Sequence, residues 1–139
     1  MTKTIIPIED VECQVFHNWL EFNHIPHHHI ANESKLGASD PKLRRLMIAR
    51  MKKLIGMGLS KGYWDYAVYI PIKGVAGTVD AYEKVMIEMK RQKGGVLSPE
   101  QKQWQAVYEK AGERCKVCKG AEEAIKFIEN IKKEIENDN

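Results

Sequence analysis

Apolar and polar positions along the chain follow two periods, and the changes between them mark out helices and strands. From Val11 to Phe22 apolar residues recur about every fourth position, which predicts a helix with Val11, Val15, Trp19 and Phe22 as its apolar stripe. Projected at about 3.6 residues per turn, Glu12 falls inside that arc, between Trp19 and Phe16. This acid is expected to face the body of the protein, with Gln14 and Glu21 facing solvent. His27 to Ala31, after Pro26, suits a short strand, and a polar loop follows from Asn32 to Ser39 around Gly37. Asp40-Pro41 then starts a second helix, because aspartate caps a helix N-terminus and proline suits its first position. It should run to about Ile55 and stop near Gly56 or Gly58, burying Leu43, Met47, Met51 and Leu54.

The period then changes to two. Asp65 to Ile70 and Val85 to Lys90 read as neighbouring strands, joined by a loop or irregular hairpin containing Pro71, Gly74 and Gly77. Gly94-Gly95 breaks the second strand, and Ser98-Pro99 starts a helix that should run to about Ala111 and end at Gly112. Arg114 to Cys118 reads as a strand, and Ala121 to about Glu134 as an amphipathic helix built on Ala124, Ile125, Ile128 and Ile131. Asn137 to Asn139 is expected to fray. The order α-β-α-β-β-α-β-α predicts an α/β protein with a mixed sheet flanked by helices.

At 139 residues the chain has the length of one domain with a real core. No apolar run approaches a membrane span, and the polar N-terminus does not read as a signal peptide, so an intracellular, cytoplasmic setting is expected. Three cysteines build no disulfide framework. The net charge of +3 neither requires nor excludes nucleic acid, and what matters is where the basic residues gather. The best patch is Lys42, Arg45, Lys52 and Lys53 on the outer side of the second helix. It would track a phosphate backbone if the acids lie nearby, and would otherwise serve only solubility.

Alternation puts Glu88 and Lys90 on one face of their strand and Ile87 and Met89 on the other. A carboxylate on that face can hold a divalent cation, and the ammonium beside it can stabilise negative charge or position a water. The plainer reading makes Asp65 a strand-start turn residue and Glu88 with Lys90 an exposed ion pair. His24, His27, His28 and His29 lie close in sequence, and Cys115-x-x-Cys118 has half a zinc spacing. Strand alternation separates His28 from His27 and His29, so structural zinc is not expected. The cysteines read as small core residues, and some of the histidines as neighbours of a cleft or of phosphate.

In order along the chain stand Glu12, Asn32-Glu33, Gly62-Tyr63-Trp64-Asp65, Glu88-Met89-Lys90 and Leu97-Ser98-Pro99-Glu100-Gln101, with Trp104 beyond them. With these motifs the chain resembles the virus-type replication-repair nucleases (VRR-NUC) of the PD-(D/E)xK superfamily, from Glu12 to the last helix. The resemblance implies a restriction-endonuclease-like fold, one nuclease domain over residues 1–139 and metal-dependent hydrolysis of DNA. It departs from the family at Trp64, where a proline is usual. It further implies that Asp65 and Glu88 hold Mg2+ or Mn2+, with the Met89 main-chain carbonyl as a further ligand and Glu12 as ligand or water orienter. Lys90 would stabilise charge or position the nucleophile. Gln101 would orient water or Lys90, although three residues after Ser98 it also fits a capping box. Arg91 and Gln92 receive no assignment.

Two functions follow from this reading. One is an endonuclease acting on branched or otherwise structured DNA, such as flaps or four-way junctions, with a phage or mobile-element origin implied by the family. The other is a nucleic-acid-binding module of nuclease fold with little or no activity. A chain this small is expected to act on an extended substrate as a homodimer.

Overall fold

The computed structural model describes residues 8–30 and 40–138. Along the chain these form α1 (Glu9–Phe22), β1 (His27–His29), α2 (Pro41–Gly56), β2 (Tyr66–Lys73), β3 (Val79–Lys90), α3 (Pro99–Lys110), β4 (Arg114–Lys119) and α4 (Ala121–Asn137). This is the mixed α/β order that the two periods predict. Ala31, the Asn32–Ser39 loop with Asn32-Glu33, and Asn139 lie outside the described residues. No described helix is long and apolar enough to cross a membrane.

The strands form one sheet in the order β1-β2-β3-β4, antiparallel except for the parallel β3–β4 pair. A parallel pair needs a crossover, and α3 supplies it. Alternation along the strands sends their side chains into two apolar layers. Tyr66, Val68, Ile87 and Met89 pack with Phe16 and Leu20 of α1 and Ala124, Ile128 and Ile131 of α4. Ala67 and Met86 pack on the other face with Trp64 and with Tyr108 of α3. Cys118 belongs to the first layer and Cys115 borders the second, so the two thiols cannot grip one ion together. Burial pushes the Cys118 thiol up to about 12.

Three details differ from the sequence reading. In α1 the buried seam is Glu12, Cys13, Phe16 and Leu20, whereas Val11 and Val15 are half exposed and Phe22 is 83% exposed. Apolar residues cover most of this helix, so spacing alone permitted two adjacent stripes. The seam carrying Phe16 and Leu20 is the one that meets α4 and the sheet. In α2 no residue is buried, and Leu43, Leu46, Ile48 and Leu54 are exposed, so the expected buried stripe is absent. Both apolar layers are completed without it. The hairpin strands are also longer than expected, with only Gly74–Thr78 between them and a single 3-10 turn at Val75–Gly77.

Pro71 therefore sits inside β2, opposite Tyr82, and not in the connection. Tyr69 N–H points outward to the Pro26 carbonyl. Two residues on, position 71 faces the same side, past the end of β1, where a missing N–H breaks no ladder bond.

Within the first layer α1 is tied to the start of α4. Its N-cap is Gly120, which has no side chain to satisfy the first helical N–H groups. The buried Glu12 carboxylate accepts from Ala121 N–H instead, and its charge complements the positive end of the helix dipole. Gly120 has φ +94° and ψ 163°, and a Cβ there would lie 2.4 Å from Glu12 Oε2. Gly120→Ala is accordingly expected to cost about 1–3 kcal/mol from backbone strain alone, read from urea unfolding. An unchanged midpoint would show that Gly120 is not held in this left-handed conformation.

Candidate active site

Asp65 and Glu88 are each about 1% exposed at one end of the sheet, and hydrogen bonds to the backbone hold them there. Asp65 N–H donates to Glu88 Oε2 (3.1 Å), and Met89 N–H donates to Asp65 Oδ2 (3.0 Å). Glu88 Oε1 accepts from Gln101 Nε2 at 2.7 Å and lies 3.4 Å from Lys90 Nζ. Lys90 Nζ also donates to Gln101 Oε1 at 3.1 Å. The Gln101 amide has one chemically consistent orientation, because its oxygen faces two donors, Lys90 Nζ and Ser98 N–H, and its nitrogen faces a carboxylate. Ser98 Oγ in turn accepts from Gln101 N–H, completing the capping box at the start of α3. Gln101 thus makes both sets of contacts between which the sequence left a choice.

A strand residue presents its N–H and C=O to the same neighbour. Met89 N–H points at Asp65, so the Met89 carbonyl opens on the same side. Glu12 reaches this end of the sheet from the opposite layer, where its carboxylate is held by Ala121 N–H, outside the hydrogen-bonded chain of Asp65, Glu88, Lys90 and Gln101. His29 follows the same division, since it lies over the Tyr66 ring with centroids 4.7 Å apart, in the α1 layer. Lys42, Arg45, Lys52 and Lys53 are exposed on α2, whose chain continues through residues 57–65 to Asp65. Arg91 and Gln92 are exposed just after β3.

Sequence reasoning missed the support behind these groups. Trp64, fully buried, donates from Nε1 to the Gln101 carbonyl (3.0 Å), and its backbone N–H donates to Tyr108 Oη (3.2 Å). Tyr108 packs edge to face on Trp64, and Tyr63 and Trp104 pack in turn on Tyr108. Gly62, at φ +80°, lets the incoming chain touch the start of α3, where a Cβ would lie 2.6 Å from the Glu100 Cβ and 2.8 Å from Gln101 N. The four-residue spacing of Trp104 and Tyr108 was the available signal, since it puts both rings on one face of a helix.

Burial, and then the Asp65 charge, push the Glu88 carboxyl up to about 8, against a partial opposing effect of Lys90. Two carboxyl groups held together in an apolar setting ionise together only at a cost. An oxygen-rich pair of this kind fits a hard divalent cation, which would take the place of the proton.

A solved structure described as a VRR_NUC domain protein is similar to this chain over 90% of its length and 88% of that protein's, with 22% identity and a TM-score of 0.59. The chain has the VRR_NUC fold. A scan against protein-family models and a search of curated proteins each find no match. In this VRR_NUC fold the acids occupy the end of the sheet where β2 begins and β3 ends.

The raised Glu88 carboxyl has a sign that can be measured. Between about pH 4.5 and about 8 the metal-free folded protein keeps a proton that the unfolded chain has released, so stability falls as pH rises through that window. In chelator-treated protein the melting temperature of the wild type is expected to fall relative to Glu88→Gln across the window. Parallel profiles would remove the case for a buried proton on Glu88.

Proposed function

We propose that the chain is a Mg2+- or Mn2+-dependent endonuclease of the VRR-NUC type that hydrolyses DNA phosphodiester bonds, with flaps or four-way junctions as preferred substrates. The observation that carries this reading is the hydrogen-bonded set Asp65, Glu88, Lys90 and Gln101 at one sheet end, with both acids and the glutamine buried. Asp65 and Glu88, with the Met89 carbonyl, are the groups that would hold the ion. When bound, such an ion polarises phosphate oxygens and lowers the pKa of water. Lys90, fixed by Gln101 Oε1 and Glu88 Oε1, supplies positive charge to the phosphate as negative charge builds on it.

Gln101 keeps Glu88 and Lys90 in register. Glu12 enters as a positioning residue: it fixes Ala121, and the adjoining Gly120 N–H donates to the Lys90 carbonyl. The exposed basic face of α2, Lys42, Arg45, Lys52 and Lys53, precedes Asp65 in the chain and is assigned to the DNA backbone. A second reading, a DNA-binding module without activity, is favoured by the protein partners that both Glu88 oxygens already have.

Labelled duplex, flap and junction DNA separate the two readings. With Mg2+ or Mn2+ the wild type is expected to cut, and Lys90→Ala to cut about 100- to 1,000-fold more slowly. Asp65→Asn and Glu88→Gln should abolish cleavage while retaining gel-shift binding. Absence of cutting of all three DNAs with either metal defeats the enzymatic reading, and binding alone then supports the module.

Homodimerisation is part of the same proposal, supported by the exposed Leu43, Leu46, Ile48 and Leu54 of α2. Sedimentation equilibrium at micromolar protein is expected to show a dimer, and a monomer throughout that range would refute it.

A further inference from the structure

We propose that His17, Glu21 and His27 form a binding site for a divalent transition-metal ion of the zinc class, separate from the Asp65–Glu88 pair. One ligand atom from each lies within 4.8 Å of the others. His17 and Glu21 are four residues apart and share a face of the last turns of α1, and β1 brings His27 against them. His17 Nδ1 and His27 Nε2 are 2.7 Å apart, and Glu21 Oε1 is 3.8 Å from His27 Nε2.

His27 is organised as a ligand. Its side chain is 5% exposed, and its Nδ1 lies 2.8 Å from the Ile25 carbonyl. A carbonyl only accepts, so Nδ1 carries the hydrogen, and in the neutral ring Nε2 turns its lone pair toward His17 and Glu21. Backbone fixation of the second ring nitrogen is the usual support of a metal-bound imidazole. The His17 hydrogen moves from Nδ1 to Nε2 when Nδ1 becomes a ligand, so the ring stays neutral. Zn–N distances of about 2.0–2.1 Å require the two nitrogens to part to roughly 3.3 Å, so binding calls for a small rotation of one ring.

The charge balance also favours a cation. Glu21 sits in the last turn of α1, which itself holds no basic residue at the negative end of the helix dipole. Two imidazoles and one carboxylate suit zinc, whereas magnesium prefers oxygen ligands alone, so this cluster and the acid pair suit different ions. Glu21 is 66% exposed, which leaves a coordination position on the solvent side. A cavity of about 330 Å³, lined in part by Cys13, His29 and Tyr66, borders His17.

Full-length protein titrated with Co2+ as a spectroscopic stand-in, and then with Zn2+ alone, tests the site. Wild type is expected to show the intense visible band of four-coordinate Co2+ and a Zn2+-dependent rise in melting temperature. Asp65→Asn/Glu88→Gln should retain both, which separates this ion from any at the acid pair. His17→Gln and Glu21→Gln, each checked for an intact fold by circular dichroism, should weaken Zn2+ binding at least about tenfold, and His27→Gln should abolish it. No band in the wild type overturns the proposal. So does a band that survives His17→Gln and Glu21→Gln, or one lost only in the acid-pair variant.

Discussion

Two carboxyl groups buried against each other set the terms for the rest of this molecule. In the β2–β3 register the position opposite Met89 is Trp64, but Trp64 has left the ladder and gives its N–H to Tyr108. Met89 N–H would lose its acceptor there, and Asp65 Oδ2 replaces it. Glu88 Oε2 does the same for Asp65 N–H. Each acid therefore completes backbone hydrogen bonding that the strand end leaves open, and neither can turn to solvent without stranding a buried donor. Gln101 and Lys90 offset the crowding of negative charge with one amide and one ammonium. The groups proposed for chemistry are the same ones that finish the sheet, so their geometry is set when the sheet forms.

Trp64 shows how this chain manages without a proline before Asp65. A proline would fix φ and remove an N–H at that point. Here the restraint comes from packing, since the buried indole holds the Gln101 carbonyl and the backbone N–H is taken up by Tyr108. Gly62 completes the arrangement by letting the loop approach the start of α3 closely. The strand start and the helix start are thereby locked to each other, and the Glu88–Gln101 contact is a consequence of that lock.

Much of the fold was legible because both periods are strong where elements are half buried. Glu88 and Lys90 were placed on one face by alternation, as their 3.4 Å approach shows, and Glu12 was turned inward by helical projection, as its burial shows. What could not be read were partnerships between distant parts of the chain. Nothing local marks Ala121 as the partner of Glu12, or Gln101 as the bridge from a capping box to Lys90. The outer hairpin was misjudged for a different reason. Residues 79–82 are exposed on both faces, so no alternation betrays the strand there. In α2 the opposite error arose, since an amphipathic pattern is a statement about what a helix could cover and not about what covers it.

These long-range ties converge on α1, which gives the helix a part in positioning the acids without touching them. Near its start Glu12 holds the beginning of α4, beside the Gly120–Lys90 hydrogen bond that ends β3. At its far end His17 holds His27 of β1. That strand pairs with β2 over only three residues, and the Ile30 N–H just beyond it donates to the Asp65 carbonyl. The backbones of Asp65 and Lys90 are thus each one hydrogen bond away from an element that α1 fixes. A three-residue edge strand is a weak anchor by itself. The histidine contact at the end of α1 supplies the restraint that β1 lacks, and through β1 it reaches the outer side of Asp65.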